Sequence, residues 1–594
     1  MTSTPNYSKI QEIVNSTQSD SLPNLNVSVL RTIMVESIEP YVRYHALQMG
    51  HNAAVQFGEY DNVFQEAVGG RPDLMNDATD IVLVFMGLES LSWDLARNFT
   101  ALKPEGVRNE IERVTRHMET ILSGIRKQTS AMVIWHGLET PLYPALGVVD
   151  SQVENGQLAA VREINAHFRS VLAATPNAYF LDMDICRSFV GGRNFYDLRY
   201  WHIGRAPYTL AAVDAIAFEQ AKFIRPQKGK NRKCLVLDCD NTIWGGIIGE
   251  DGINGIKLSK TYPGSSFFEF QQEIVSLHNR GVILALCSKN NEADVWEVFD
   301  NHPDMVLCRA HIATAQINWQ DKAANLRQIA LDLNIGLDSL VFMDDSDFEI
   351  NLVREQLPEV EAVLMPKKTP VLYRDLLAGG GWFDTLTLSA EDKIRGAMYR
   401  AEADRKKLKA QTTDMKSYYA SLEMEITIAR ANDFSIPRIS QQTQKTNQFN
   451  LTTRRYSEAD IAEFAADENS DVICLSLQDR FGDSGIVGTC VLQFNGGEAL
   501  FDSFLLSCRV LGRDVEKVFL LQALQIAKDR GCIRAIGEYY ATLKNVQVEL
   551  FYGNEGFEEL SQGSVGANKR FAYDLTGDLP DMPDFFKSIT FSQE

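Results

Sequence analysis

The chain lacks the features that would place it outside the cell, in a membrane or on nucleic acid. Its nine cysteines are scattered, odd in number and without a CxxC pair, so we expect no disulfide framework and a reducing compartment. No run of about 18 uncharged apolar residues exists, so we expect no membrane span. The first twenty residues have neither the basic start nor the apolar stretch of a signal peptide. We therefore expect a cytoplasmic protein.

Positive charge is also scarce. The 58 basic residues are outnumbered by 79 acidic ones, and the net charge is −21. A surface this acidic repels nucleic acid, and a phosphorylated substrate would need a local cationic pocket. The stretch PQKGKNRK (226–233) is an exception that we interpret as a solvated linker, with a dedicated anion site as the alternative.

The length of 594 residues predicts two to four domains of mixed α/β class. In residues 1–227, short apolar runs alternate with helical segments such as 110–126, which indicates a parallel sheet buried on both faces. Predicted strands of this first zone are TIMVES (32–37), DIVLVFM (80–86), AMVIWHG (131–137) and NAYFLDMD (177–184).

A second α/β unit follows in residues 228–370, with predicted strands CLVLDCD (234–240), VILALCS (282–288) and SLVFMDD (339–345). Ligands of a doubly wound sheet bind beyond the carboxyl ends of its strands. Residues 371–420 are predicted to be a helical linker whose part 391–410 is charged and exposed. Residues 421–594 are predicted to form an α+β domain, with four strands between 424 and 507 and a helix over 514–531.

The segment LVLDCDNTIWGG (235–246) carries the clearest chemistry. Asp238 and Asp240 lie together at the end of its predicted apolar strand, and Thr242 follows two residues later. A carboxylate nucleophile accepts a phosphoryl group, and a second acid protonates the leaving oxygen. Asp238 suits the first role and Asp240 the second, while capping aspartates at a strand end are the structural alternative.

Later strand ends supply the rest of a phosphoryl-transfer site. The Ser288 hydroxyl is predicted to hold phosphoryl oxygens together with Thr242, and Lys322 to neutralise developing negative charge. Asp344 and Asp345 end a third strand and provide carboxylates for Mg²⁺, which prefers hard oxygen ligands. We expect the ion to contact Asp238, the backbone of Asp240, and Asp344 or Asp345.

These four motifs match, in order, those of the haloacid-dehalogenase (HAD) superfamily. The segment 238–252 is also similar to the FkbH-like branch, of the HAD-IIIC type, as are TQKTNQFNLTTRRYS (443–457), DRFGDSGIVG (479–488), SCRVLGRDVE (507–516) and KNVQVELFYGNEGF (544–557). The resemblance covers nearly the whole chain. It implies removal of phosphate from 1,3-bisphosphoglycerate and delivery of a glyceryl group to the pantetheine thiol of an acyl carrier protein, in polyketide or related secondary metabolism.

Acyl transfer would most simply pass through an enzyme thiol, for which two cysteines are candidates. Cys239 lies between the two aspartates, but on a regular strand it faces the other way, which favours packing. Cys508 is flanked by Arg509 and Arg513, which would lower its pKa. A satisfied strand-end residue is the alternative for Cys508.

The flanking zones resemble two further folds. The third zone resembles the GNAT acyltransferases, and Arg509, Gly512 and Arg513 at the start of its helix are predicted to bind a pantetheine phosphate. The first zone is similar to SGNH esterases, but its serine motif is absent around Ser37, and Asp197 and His202 are too far apart for the usual Asp-x-x-His pair. A docking or structural role is favoured there. A plain phosphatase and a non-catalytic assembly module are the competing hypotheses for the whole chain.

Overall fold

The computed structural model describes residues 5–17, 21–387, 405, 408, 414–507, 510–560 and 568–592. The chain divides into two compact units, one ending at Lys228 and the other beginning at Gly229. The first unit contains one sheet and the second contains two. Within the described part of the chain, no helix is both long and apolar enough to cross a bilayer.

The first unit is built on a sheet of five described strands in the order β2-β1-β3-β4-β5, all parallel. The central strands are buried along their whole length, as expected for a parallel sheet covered on both faces. The strands are β1 Asn24–Arg31, β2 Asn52–Phe57, β3 Ile81–Phe85, β4 Met132–His136 and β5 Ala178–Leu181.

Helices of this unit cover the sheet, and the longest, Pro104–Gln128, extends the segment predicted at 110–126. Its buried side chains recur every three or four residues, which is the pattern of an amphipathic helix. The other helices are Tyr7–Ser16, Glu36–Ile38, Glu39–Gln48, Val63–Gly69, Leu88–Leu91, Trp93–Arg97, Phe99–Ala101, Gly147–Gln152, Gln157–Ala173, Met183–Val190, Gly192–Phe195, Leu198–Gly204 and Leu210–Gln227.

The strand predicted at 32–37 is wrong, because the chain there turns into a short 3₁₀ helix, Glu36–Ile38. The true first strand, Asn24–Arg31, was missed because Asn26 and Ser28 interrupt its apolar pattern. Ser28 is nevertheless buried, since its hydroxyl donates a hydrogen bond to the carbonyl oxygen of Leu74.

The central domain (229–387) is a second parallel sheet, in the order β10-β9-β6-β7-β8. Its strands are β6 Cys234–Leu237, β7 Ile283–Ser288, β8 Ile312–Ile317, β9 Leu340–Asp344 and β10 Glu361–Leu364. The three predicted strands are present at the centre, and the edge strands β8 and β10 were not predicted. Its helices are Ile248–Asp251, Gly264–Asn279, Glu292–Asn301, Arg309–His311, Lys322–Leu333, Leu337–Ser339, Asp347–Gln356, Pro370–Leu372 and Tyr373–Ala378.

The third domain (414–592) is an α+β structure, as predicted, with a long and mostly antiparallel sheet. The four predicted strands correspond to β11 Glu425–Arg430, β13 Ser470–Asp479, β14 Gly482–Asn495 and β15 Glu498–Leu506. The remaining described strands are β12 Phe449–Asn450, β16 Arg534–Tyr539, β17 Glu558–Glu559, β18 Lys569–Asp574 and β19 Ser588–Ser592. Its helices are Met415–Ser421, Ile436–Lys445, Glu458–Ala466, Val515–Asp529, Val546–Val548 and Phe551–Asn554.

A short segment of the third domain is inserted between two diverging parallel strands. β15 pairs with β16 only up to Phe501, and beyond that point β15 pairs with β12 instead. Leu451 N–H donates to the carbonyl oxygen of Phe504 at 3.2 Å, and the Leu451 carbonyl accepts from Tyr540 N–H at 2.8 Å. The segment therefore forms backbone hydrogen bonds with both β15 and the residue that follows β16. Another extended chain could bind between these strands only by displacing it.

The helix predicted at 391–410 falls on residues that lie outside the described ranges, apart from Arg405 and Leu408. Arg405 is buried and donates to both carboxylate oxygens of Asp479, at 2.6 and 2.7 Å. The expectation that this segment is solvent-exposed is thus wrong for Arg405, because a partner 74 residues away neutralises its charge.

Candidate functional site

The candidate site lies where three neighbouring strands of the central sheet end. Asp238 directly follows β6, Ser288 ends β7 and Asp344 ends β9, and β6 is bonded to both other strands. Asp238 N–H donates to the Met343 carbonyl at 3.0 Å, which fixes the end of β6 against β9. Parallel strands place their carboxyl ends at one edge, so the predicted acids converge here.

Three carboxylates form a cluster with the geometry of a cation site. Asp238, Asp344 and Asp345 each offer one oxygen, and these oxygens lie within 4.8 Å of one another. Burial raises the pKa of both Asp344 and Asp345, and the charge of Asp238 raises that of Asp344 further. Three carboxylates this close repel one another when all are charged, and a divalent cation would relieve that repulsion. Their oxygens are the hard ligands that Mg²⁺ prefers.

Lys322 bridges two of these carboxylates. Its Nζ lies 2.8 Å from Asp238 Oδ1 and 2.5 Å from Asp344 Oδ2, and the side chain is buried. Burial alone would lower the pKa of Lys322, but the charges of Asp238 and Asp344 outweigh it and raise the pKa above its usual value. The ammonium group is therefore charged and fixed beside the carboxylate that is predicted to react.

Asp240 is held by three donors. Its Oδ1 accepts from Trp244 Nε1 at 2.8 Å and from Ile248 N–H at 3.0 Å. Its Oδ2 accepts from Asn290 Nδ2 at 2.9 Å, and the same amide donates to Ser288 Oγ at 3.3 Å. Asn290 thus connects two predicted site residues, and sequence reasoning missed it although it lies two residues after Ser288.

Thr242 lies in the turn that follows β6. Asn241 adopts a left-handed conformation with φ of 55°, and its carbonyl accepts from the Tyr373 hydroxyl at 3.0 Å. The Thr242 side chain is fully buried, yet its Oγ1 has no hydrogen-bond partner among the described residues. A buried hydroxyl without a partner is costly, so this atom is suited to a bound ligand oxygen.

Two exposed aromatic side chains lie in the segments that follow strands at this edge of the sheet. Trp319 in the loop after β8 and Phe348 in the first turn after β9 are each 70% exposed. Only a short segment, residues 245–263, separates the turn after β6 from the helix Gly264–Asn279, so little of the chain is inserted at this point.

Cys239 is not placed to act as a transfer thiol. Its side chain is fully buried and packs in a core with Leu235 and Leu237, on the other side of the sheet from Cys234 and Val236. Burial raises the pKa of its thiol, and the charge of Asp238 raises it further. The catalytic assignment of Cys239 is thus corrected to the packing role.

The predicted pantetheine-binding residues are also used differently. Arg513 is buried and its Nη1 lies 3.3 Å from Asp479 Oδ2, the carboxylate that Arg405 also contacts, so the side chain takes part in a buried ion-pair network. Gly512 is exposed at the start of the helix Val515–Asp529, but Asp514 and Glu516 place two carboxyl groups at this helix end. Burial raises the pKa of Glu516 to about 7. The binding of a pantetheine phosphate by Gly512 and Arg513 stays a prediction. Cys508 and Arg509 lie outside the described residues.

The first unit has no assembled hydrolase dyad at the residues considered from sequence. Asp197 caps the helix Leu198–Gly204, accepting from Arg199 N–H and Tyr200 N–H, and His202 is an exposed residue of that helix. Ser37 lies in the 3₁₀ turn Glu36–Ile38. The resemblance to SGNH esterases stays a prediction.

The chain is similar to a solved structure that contains a phosphatase domain. No protein-family model and no curated protein sequence matches the chain. Among solved structures, the N-terminal part of the protein BF1531 from Bacteroides fragilis, which contains a phosphatase domain and is complexed with Mg, is similar to this chain. The identity is 26%, the TM-score is 0.58, and the match covers 65% of this chain and 100% of that one.

Two acetyltransferases are also similar to a part of the chain. The ribosomal-protein-S18-alanine N-acetyltransferase from Escherichia coli is 14% identical, with 27% of this chain and 99% of that chain covered and a TM-score of 0.21. A GNAT-family acetyltransferase from Staphylococcus aureus is 14% identical, with 25% and 99% covered and a TM-score of 0.21. At that score the likeness assigns no function to the third domain.

Proposed function

We propose that the chain is a Mg²⁺-dependent phosphoryl-transfer enzyme of the HAD type. The observation that carries this proposal is the convergence of Asp238, Asp344 and Asp345 with Lys322 at the carboxyl ends of adjacent parallel strands. The similar Bacteroides fragilis structure, with its phosphatase domain and Mg, supports the same chemistry.

In the proposed reaction an Asp238 oxygen attacks phosphorus, and the bond from phosphorus to the leaving oxygen breaks. Asp240 gives its proton to that oxygen and afterwards takes a proton from the water that releases phosphate from Asp238. Lys322 offsets the added negative charge, and the hydroxyls of Thr242 and Ser288 hold phosphoryl oxygens. Asp238, Asp344 and Asp345 would hold Mg²⁺, which would supply positive charge against the negative charge that develops on the phosphoryl group.

We further propose that the substrate is 1,3-bisphosphoglycerate and that its glyceryl group passes to the thiol of a separate acyl carrier protein. The FkbH-like sequence blocks support this, as do the exposed aromatic side chains Trp319 and Phe348, which offer apolar surface to a partner. Hydrolysis takes the phosphate from the ester position. The acyl phosphate then remains activated, so that a thiolate attacks its carbonyl carbon and the second phosphate leaves.

One assay tests this proposal. The chain is incubated with 1,3-bisphosphoglycerate, Mg²⁺ and a pantetheinylated carrier protein, and the carrier is weighed by intact-protein mass spectrometry. A glyceryl mass on the carrier is the expected result. Phosphate release with an unmodified carrier would contradict the transfer proposal. It would leave the hypothesis of a simple phosphatase, which needs the same aspartates and no thiol.

The thiol requirement is tested by replacing two cysteines. We expect Cys239→Ala to retain glyceryl transfer, because the buried thiol has a raised pKa and is a poor nucleophile. Its stability should fall by about 1 kcal/mol through lost packing. Cys508→Ala should reduce transfer to the carrier while phosphate release continues. Cys287→Ala, which replaces a buried cysteine of β7, is the control. Unimpaired transfer in Cys508→Ala would remove the enzyme-bound thioester.

The exposed side chain of Trp319, in the loop after β8, gives a second prediction. Trp319→Ala should raise the KM for the carrier protein about tenfold or more, since truncation of an aromatic contact residue is typically costly at interfaces. Phosphate release from a small phosphomonoester should stay within about twofold, because Trp319 has no role in the proposed reaction and its Nε1 donates to Asn291 Oδ1 at 3.4 Å. The control is Trp93→Ala, which removes an exposed tryptophan of the first unit. An unchanged KM in Trp319→Ala would contradict this docking role.

A further inference from the structure

Several large apolar side chains of the first unit are exposed in segments that follow the carboxyl ends of its strands. They include Trp93 after β3, Tyr143 and Val148 after β4, and Leu198 and Ile203 after β5. Each of these side chains is at least 63% exposed. Because the strands are parallel, the segments all leave the sheet at the same edge, which is where ligands of such sheets bind. Exposed apolar side chains gathered at one edge indicate an interaction surface.

The helix Leu198–Gly204 at this edge has no buried side chain. Seven residues are too few for a helix to be stable in water by its own hydrogen bonds, and most helices of proteins are stabilised by packing of an apolar face. Asp197 caps this helix, yet Leu198, Tyr200 and Ile203 are left exposed. The helix therefore presents apolar side chains that no described part of the chain covers.

Backbone hydrogen bonds hold the two ends of this helix in place. Before the helix, Asp197 N–H donates to the carbonyl oxygen of Pro207 at 2.8 Å. After it, the Arg205 carbonyl accepts from Met34 N–H, in the loop that follows β1, at 2.9 Å. The exposed side chains are thus presented by a segment that is fixed to the edge of the sheet.

Two arginines of the same segment form no ion pair. Arg193 and Arg199 are exposed, and neither contacts a carboxylate among the residues that the structure describes. The Arg199 guanidinium lies 4.6 Å from the centroid of the Tyr200 ring. Stacking on an aromatic ring does not cancel the charge of a guanidinium, which stays available to a carboxylate of a partner.

A third arginine shares its carboxylate. Arg205 Nη1 lies 3.9 Å from Glu89 Oε2, while Glu89 also pairs with Arg97. The Arg205 side chain is half exposed, and its guanidinium lies 4.8 Å from the Trp201 ring. One carboxylate thus serves two arginines, so this part of the surface also retains positive charge, in a chain whose net charge is −21.

The kind of cation indicates what the surface contacts. No lysine occurs between Lys127 and Lys222, and the six basic residues other than histidine that lie between them are all arginines. Arginine and aromatic residues are enriched at protein interfaces, and lysine is depleted there. Patches that bind anionic membranes are typically rich in lysine as well. The composition therefore favours a protein partner, and the positive charge favours an acidic one.

We propose that the surface formed by Arg193, Arg199, Arg205, Leu198 and Ile203, here called the arginine surface, docks an acidic face of the carrier protein. This inference rests on the proposed function, which requires a separate protein to come to this chain. A second copy bound through the same surface would bring arginines against arginines, which disfavours a symmetric dimer. Because both units belong to one chain, docking raises the effective concentration of the carrier for the phosphoryl-transfer site.

The test measures binding of the carrier protein of the transfer assay, without its pantetheine arm, to the full-length chain. Sedimentation velocity is recorded in EDTA and without substrate, at low and at high salt. We expect a complex at low salt that weakens as salt is added, because charged contacts are screened. Vesicles of phosphatidylcholine and phosphatidylserine are a second probe, which we expect not to bind.

Variants locate the binding. Arg199→Glu and Ile203→Ser should each weaken carrier binding about tenfold or more, as is typical of contact residues at the centre of an interface. Arg116→Glu, which reverses the charge of an exposed arginine in the helix Pro104–Gln128, should bind like the wild type. Circular dichroism checks the fold of each variant.

The outcomes separate docking from catalysis. Equal binding by all three variants, or no carrier binding, would overturn the docking proposal, even if glyceryl transfer occurs. So would vesicle binding that Arg199→Glu abolishes, or a dimer of the chain alone that Ile203→Ser dissociates. Carrier binding that is lost in Arg199→Glu, in a protein that transfers no glyceryl group, would support the docking and contradict the transfer reaction.

Discussion

Asp238→Asn is expected to reduce phosphate release by about three orders of magnitude or more, because the amide oxygen is a far weaker nucleophile than the carboxylate. The substitution is nearly isosteric, and Asp238 is buried beside Lys322, so the fold should be retained. Phosphate release from a phosphomonoester in Mg²⁺ measures the loss, and circular dichroism checks the fold.

The matched control is Asp529→Asn, which removes an exposed carboxylate at the end of the helix Val515–Asp529 in the third domain. Its rate should equal that of the wild type. A fully active Asp238→Asn would eliminate the nucleophile assignment, whatever the control shows.

Lys322→Met is expected to have the second-largest effect, on activity and on stability together. Without Nζ, Asp238 and Asp344 face each other without their buried partner. Removal of one member of a buried ion pair costs about 3–5 kcal/mol. Phosphate release should fall about 10²–10³-fold, because the charge that offsets the reacting phosphoryl group is lost.

Mg²⁺ should separate this effect from general misfolding. A cation among Asp238, Asp344 and Asp345 relieves part of the repulsion, so the Lys322→Met variant should gain more stability from Mg²⁺ than the wild type does. Urea unfolding with EDTA or with Mg²⁺ measures this difference. Lys587→Met, which breaks an exposed ion pair with Glu425, should unfold at the wild-type midpoint. A wild-type midpoint for Lys322→Met in EDTA would contradict the buried network.

Three of the site residues were predictable because each stands at the end of an apolar run in the sequence. Asp238, Ser288 and Asp344 stand at the ends of strands whose hydrophobic character is continuous, so their position and their shared edge follow from the pattern of the sequence. Lys322 was identified by its place in the motif order, and its contact with two carboxylates depends on the helix that it begins.

Other assignments failed because they depended on partners distant in sequence. Arg513 is predicted to be an anion ligand next to a helix start, but in the structure it is buried and contacts Asp479, 34 residues earlier, together with Arg405. The basic stretch before β6 is predicted to be a solvated linker, but Lys233 Nζ donates to the carbonyl oxygen of Lys445 in the third domain. Local sequence gives the charge of a side chain and not the charge that faces it.

The block KTNQFNLT, which carries part of the predicted resemblance to FkbH-like proteins, is a third such case. Phe449–Leu451 fill the gap between β15 and β16 of the third domain. Lys445–Gln448 line a cavity together with Lys233, Val282 and Ser339, which precede strands of the central sheet. The block therefore lies away from the carboxyl ends of the strands that carry the aspartates.

The central claim, that Asp238 receives the phosphoryl group, is tested most directly by trapping the phosphorylated protein. The enzyme is mixed with substrate labelled in the phosphoryl group, quenched in acid within one turnover, digested and mapped by mass spectrometry. We expect a hydroxylamine-labile phosphate on the peptide that contains Asp238, and none in Asp238→Asn. Rapid phosphate release with no labelled peptide, or with the label on another residue, would contradict the account.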